Sequence, residues 1–348
     1  MQEDFHFYTI YALCRAAGFS PDLAHIVAYS SQHTDDARYG HALNFENGGR
    51  FQQVLTAHKH IDINVFSKEV CYNIWIPFHF LPGNSGVDFY ERLFVRPNSV
   101  ISQRMIEDFL DSEIKPYTLH RLGIILHVYA DTWSHQNFMG ILKDYNDVKE
   151  LKVMDEDENF LQGLLEDLKY KFLEYALPML GHTQAGTIPD EPYRVWEYRD
   201  FRDEFHRVIN RIRALDAAQN CYMLLLRFLR RFPQFCYSNP LSWQDMVSKI
   251  DELFSKKGDL EDRIKIWKKA IREGQFGFKV EKDDEYIDYN DRDWFRAAVG
   301  VIEEEETIHY KRLEGFEISN WKYFHDAAAF HKFHILHEVL PEYGIICG

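Results

Sequence analysis

The sequence predicts a mostly α protein, a multi-helix core with few or no strands, on three grounds. Apolar residues recur at helical intervals through most of the chain. Helix boundaries are marked: Gly18 closes the first periodic segment, and Ser20-Pro21-Asp22 opens the second with a capping hydroxyl, a proline at the first helical position and an acid. The most apolar stretch, Tyr117 to Met139, contains no proline and reads as a buried helix.

In order, the first helix spans about Asp4 to Ala17 and the second runs from Pro21 to about His33. Residues 37–60 are mixed and polar, a loop with some helix. Cys71 to Leu81 is apolar, rich in β-branched and aromatic residues, and meets Pro77 and Pro82, which predicts an extended segment carrying His79. Helices are expected over Pro97–Asp111 and Tyr117–Met139, then an acidic one from Asp155 to Leu180 that stops at Gly181. Residues 181–192 form a loop by composition. Tyr193 to Gly274 reads as helical with dense charge, 275–292 as hairpin or loop, and helices over Trp294–Glu306 and Ile318–Leu340 close the chain. Three regions follow: a helical metal-binding core over 1–190, a helical substrate or cap region over 191–318, and a C-terminal helix over 319–348 that packs on the core.

Composition narrows the function classes. A chain of 348 residues can bury a substantial core, and its aromatic content of 16% argues against disorder. The net charge of −15 lacks the cationic surface that stable nucleic-acid binding requires. Cys14, Cys71, Cys221, Cys236 and Cys347 show no CxxC spacing, which suits a reducing compartment. The acidic start lacks a signal-peptide pattern and no apolar run is long enough to span a bilayer, so a cytoplasmic location is expected. Walker, dinucleotide-binding and nucleophile-elbow motifs are all missing.

Residues 127–135 read His-Val-Tyr-Ala-Asp-Thr-Trp-Ser-His. On a helix, His127, Asp131 and His135 share one face within about 80°. Their neighbours Ile124, Ile125, Leu126, Val128 and Trp133 are apolar. Ionisable groups in such a setting are costly unless paired, so the string reads either as a divalent-metal site or as a hydrogen-bonded core in which Asp131 orients two histidines. Further ligands can come from His6 between two phenylalanines, Asp35-Asp36 after the second helix, His79 between prolines, and His182 with Asp190 in the loop. Singly, each histidine reads as an ordinary core residue.

Taken in that order, these residues resemble the bacterial zinc-dependent phospholipase C family and the related fungal single-strand-specific zinc nucleases, over roughly residues 1–190. The resemblance implies a helical protein holding two or three zinc ions, or other divalent ions, against a phosphodiester. It implies His6 at one ion, Asp36, His79 and His127 at a second, Asp131 as the bridge and His135 at the start of a third site. His135 follows Asp131 by four residues where the family usually has five, and the family's N-terminal tryptophan is absent. The third site is completed either by His182 with Asp190, favoured because a Gly-rich loop brings backbone close to a ligand, or by His334 with Glu338. The strings HxxADTWSHQNF and GHxQAGxxPD also resemble a family of uncharacterised bacterial proteins.

The expected function is therefore a zinc-dependent hydrolase using a metal-activated water on a small phosphoester or lipid headgroup. Asp131 and Asp36 would be its catalytic carboxylates, with Asp36 taking the water's proton, and Asp35, Gln136 and Asn137 would orient imidazoles. Two alternatives remain: a non-catalytic helical protein with a structural metal, and a zinc hydrolase acting on an amide or ester.

Overall fold

The computed structural model describes residues 1–57, 67–154, 181–304 and 307–346. The expected acidic helix over 155–180 and the end of the polar region 37–60 lie outside these residues. The described chain is mostly helical, with three small antiparallel sheets.

Helix α1 begins as a wide π turn, Asp4–Thr9, and continues as a regular helix over Ile10–Ala17. It ends where Gly18 turns left-handed at φ 115° against the Ser238 carbonyl, an approach no side chain fits. Helix α2, Pro21–Asp36, has its proline at the first position; the Ser20 hydroxyl bonds Asp22 rather than capping the backbone. Residues 37–57 hold a hairpin of β1 (Ala42–Asn44) and β2 (Arg50–Gln52).

Cys71 to Phe78, expected to be extended, is instead helical. Helix α3 runs through Lys68–Val70, a π turn at Cys71–Trp75 and Ile76–Phe78. Pro77 sits next to the end of the run, where it costs one backbone bond in the last turn and the helix stops just past it. Burial of Cys71, Ile74, Ile76 and Phe78 overrides the β-like composition. Helices α4 (Phe89–Leu93) and α5 (Val100–Asp111) follow.

Helix α6, Thr118–Ser134, is buried along its whole length. It packs against α2, against α7 (Asn210–Arg231) and against α12, which spans Asn320–His334, a π turn at Ile335–Val339 and Leu340–Glu342. The α2 crossing is close because position 123 is glycine: a Cβ there would sit 2.3 Å from the Val27 carbonyl oxygen and 2.5 Å from the Ser30 Cβ.

The expected helix over Tyr193–Gly274 begins instead as two strands. β4 (Val195–Arg199) pairs with β5 (Phe205–Ile209) and with β3 (Lys149–Val153), and only then do α7, α8 (Trp243–Phe254) and α9 (Leu260–Arg272) form. Trp196 and Tyr198 are buried at alternate positions of β4, a period too short to emerge from the surrounding charge. A short α10 (Lys282–Glu285) follows. The expected helix over Trp294–Glu306 stops early: α11 covers Asp293–Ala298, and β6 (Val299–Glu304) then pairs with β7 (Thr307–Arg312).

One buried cluster runs from Phe5 to Ile345 and draws on all three expected regions. A smaller one, including Phe80, Phe138, Trp196 and Tyr198, lies under the three-stranded sheet. In α7, Cys221, Leu224, Leu225 and Phe228 face the core. Among the described residues no helix is long and apolar enough to cross a membrane.

Four core histidines set the acid stability. Burial pushes the imidazoles of His33, His120, His325 and His331 down to about 3. His331 donates from Nε2 to the Pro77 carbonyl, and His325 Nδ1 accepts the Val54 N–H. The unfolded chain binds protons at these groups near pH 6.5 while the fold refuses them. Stability is therefore whole above that pH and lost below it, by up to about 1.4 kcal/mol per pH unit for each residue. A series of urea melts should show the midpoint falling steeply between pH 6.5 and 4. Gly123→Ala should cost about 1–3 kcal/mol at pH 7 by forcing α2 from α6, read as a lowered urea midpoint at unchanged slope.

Candidate metal centre

Five elements deliver ionisable groups to one place on α6. His127 and Asp131 stand one turn apart on it, and His135 caps it, its N–H bonded to the Asp131 carbonyl at 2.9 Å. The π turn of α1 sets His6 face to face with His127, ring centroids 3.9 Å apart. Asp35 comes from the last turn of α2 and His79 from just past α3. His182 and Asp190 come from the loop beyond Gly181, Asp190 closing a 3₁₀ turn.

The Asp131 carboxylate is the hub. Its Oδ1 lies 3.1 Å from His6 Nε2, and its Oδ2 lies 3.2 Å from His127 Nε2, 3.4 Å from His79 Nδ1 and 3.8 Å from His135 Nδ1. Asp35 Oδ1 is 3.6 Å from His79 Nδ1 and 3.7 Å from His127 Nε2. Asp190 approaches His182 Nε2 at 3.5 Å and His135 Nε2 at 3.7 Å. The Met1 amino group bridges the two halves, 2.8 Å from Asp131 and 3.1 Å from Asp190. Three groups result whose ligand atoms lie within 4.8 Å of one another: His6, His127 and Asp131; Asp35, His79 and His127; and His135, His182 and Asp190.

Hydrogen bonds fix which ring nitrogens are bare. His79 donates from Nε2 to the Thr56 carbonyl at 2.8 Å, His135 from Nδ1 to the His79 carbonyl at 2.7 Å, and His182 from Nδ1 to the Gly186 carbonyl at 3.1 Å. A carbonyl only accepts, so each ring turns its other nitrogen toward carboxylate oxygens, and that of His79 also lies 3.2 Å from His127 Nε2. The Nδ1 atoms of His6 and His127 are buried without a hydrogen-bond partner. Against three carboxylates stands one ammonium group. Imidazoles and carboxylates converging in this way, three of the rings anchored by their far nitrogen, are a donor set that suits a divalent cation, and the residues fit one.

The proton affinities follow from the crowding. Burial alone would raise Asp131, but the Met1 amine and the imidazoles of His135, His127 and His6 hold it well below the usual carboxylate range. Burial and the neighbouring Asp131 raise Asp35, against the pull of His127 and His79. Burial lowers His6 strongly and brings His182 down to about 4, so neither ring takes a proton at neutral pH. His79 is raised, because Asp131 and Asp35 outweigh its burial. The same carboxylates with Asp190 raise the Met1 amine to about 11 despite burial.

Of the residues singled out from sequence, His6, His79, His127, Asp131, His135, His182 and Asp190 come together. Asp36 does not, and its assignment is corrected: its carboxylate accepts from Arg38, Gln32 and Tyr289 on the far side of the helix end. Asp35 occupies the place assigned to Asp36. The signal lay in α2, where Ala24, Ala28, Ser31 and Asp35 follow one another at helical spacing along a buried face. His334 and Glu338 lie outside the centre, bonded to each other at 2.5 Å, with His334 Nε2 3.2 Å from Asp108 of α5. Asn137 also turns away from the imidazoles, accepting from Arg96. A fourth acidic group, Asp200, Glu204 and His206, is the β4–β5 turn, where Asp200 accepts from the Arg202 and Glu204 N–H groups and from His206.

Asp35→Asn should lower the divalent metal retained by the purified chain, whereas Asp36→Asn should leave it unchanged. Elemental analysis of the two variants side by side checks this, and an equal loss in both would contradict the assignment.

Comparison with known proteins adds the family. No curated protein and no solved structure matches the chain. A model described as a family of unknown function, DUF6765, matches residues 1–339, and the chain belongs to that family.

Proposed function

We propose that the chain is a zinc-dependent hydrolase of phosphoesters, its site formed by His6, Asp35, His79, His127, Asp131, His135, His182 and Asp190. The observation that carries the reading is the anchoring of His79, His135 and His182 by backbone carbonyls, which turns their other nitrogens toward the carboxylates of Asp131, Asp35 and Asp190. His6, His127 and Asp131 would hold one ion, Asp35 and His79 with a shared His127 a second, and His135, His182 and Asp190 a third. When bound, such ions activate a water at neutral pH and neutralise charge growing on a phosphoryl group.

The remaining roles belong to the chain. Asp131 bridges the groups and, being 2% exposed, keeps its charge where water cannot screen it. Asp35 is the most open of the carboxylates at 29% exposed, and it would accept a proton from water in the role first assigned to Asp36. The carbonyls of Thr56, His79 and Gly186 hold the imidazoles in one tautomer. Trp75, whose ring lies 5.3 Å from that of His79, gives the substrate an aromatic surface.

A structural metal is the second reading, favoured by the complete burial of His6 and His127. Elemental analysis with Asp131→Asn alongside tests both. Two or three zinc ions per chain, fewer in the variant, with bis(p-nitrophenyl) phosphate turnover reduced a hundredfold or more, on the order expected for losing a charge-stabilising group, would support the hydrolase. Zinc with no phosphoester turnover, and a fold that melts on chelation, would favour the structural role. Amide or ester cleavage alone would replace the substrate class, and a folded chain without metal would sink both readings.

A further inference from the structure

Helix α2 ends with a carbonyl that its own backbone does not satisfy. The Ala37 N–H still bonds the His33 carbonyl, but the Arg38 N–H, which a further turn would bring to Thr34, goes to Asp36 instead. The Thr34 carbonyl is taken from outside the helix. Thr56, fully buried in the segment that returns from β2, donates its hydroxyl to it at 2.7 Å. The Thr56 N–H also bonds the Ala37 carbonyl at 3.2 Å. One residue thus brackets Asp35, through the residue before it and the second residue after it.

The bracket matters because Asp35 has little else to hold it. Its carboxylate lies 3.6 Å from His79 Nδ1, 3.7 Å from His127 Nε2 and 4.0 Å from His6 Nε2, farther than a hydrogen bond reaches. Asp131, by contrast, meets His6 at 3.1 Å. The place of the Asp35 carboxylate is therefore set by the backbone that carries it, at a helix end where backbone is least constrained.

The third polar group of Thr56 faces the other partner. Its carbonyl accepts from His79 Nε2 at 2.8 Å, and the His79 carbonyl accepts from His135 Nδ1 at 2.7 Å. A continuous chain of bonds runs from the end of α2 through Thr56 to His79 and on to His135. Any residue other than proline offers the N–H and the carbonyl; the hydroxyl is specific to position 56, where valine would have the same shape without a polar atom to bury. We propose that Thr56 is a positioning residue, whose hydroxyl holds the Asp35 carboxylate where it and His79 bind one ion. This rests on the metal-binding part of the hydrolase reading.

Zinc titration of the metal-stripped protein, in competition with a chromophoric chelator, tests the assignment. Thr56→Val should weaken one bound ion about tenfold or more and leave the others at wild-type affinity, and Thr56→Ser should restore that ion. Thr56→Ala, which also lacks the hydroxyl, gives the same comparison where the valine variant does not fold. In an Asp35→Asn background Thr56→Val should cost no further affinity, because the hydroxyl acts through Asp35. Equal losses in both backgrounds would mark a merely structural role and overturn the proposal. So would unchanged zinc affinity in Thr56→Val and Thr56→Ala, or a wild type that takes up no zinc. Zinc bound with the expected pattern but no phosphoester turnover removes the hydrolase reading and supports the role of Thr56.

Discussion

A carboxylate sealed inside a helical core dictates much of this structure. Asp131 sits on a helix with no solvent-facing side, so its charge costs several kcal/mol unless neighbouring elements compensate it. α1 supplies His6, the end of α3 supplies His79, α6 itself supplies His127 and His135, and Met1 supplies an amine. Each donor fixes the position of its parent element, so packing and site geometry are here the same constraint. The glycine at 123 serves it too, by letting α2 close on α6 far enough for Asp35 to reach the same ring of imidazoles.

The centre divides into an inner and an outer part. His6, His127 and Asp131 are almost without solvent contact, whereas Asp35, His182 and Asp190 retain some. Charge held in the inner part is unscreened and rigid, which suits holding, while the outer carboxylates can exchange protons with water.

Much of this was legible in the sequence where chemistry and periodicity coincide. The i, i+4 pairs on α6 stood out because a proline-free apolar run made their burial certain before any partner was known. Gly18 and Pro21 marked helix ends for local steric reasons that the fold leaves intact. Adjacent carboxylates were harder: Asp35 and Asp36 differ by 100° of rotation at a helix end, and only the buried face of α2 tells them apart. Short strands escaped for a related reason. β4 and β5 show two or three alternations each, and β4 also pairs with β3, more than forty residues away in sequence. The π turn in α3 hid a helix by breaking the spacing that identifies one.

Those wide turns have a consequence for the family. A π turn holds one residue more than a regular turn of the same rise, so it behaves as an insertion absorbed without unwinding. The turn at Asp4–Thr9 contains His6 itself. A chain one residue shorter there would regain ideal geometry and swing everything before the deletion a quarter-turn or more around the axis, carrying His6 away from Asp131. The length of this turn therefore fixes the place of His6 as much as its identity does.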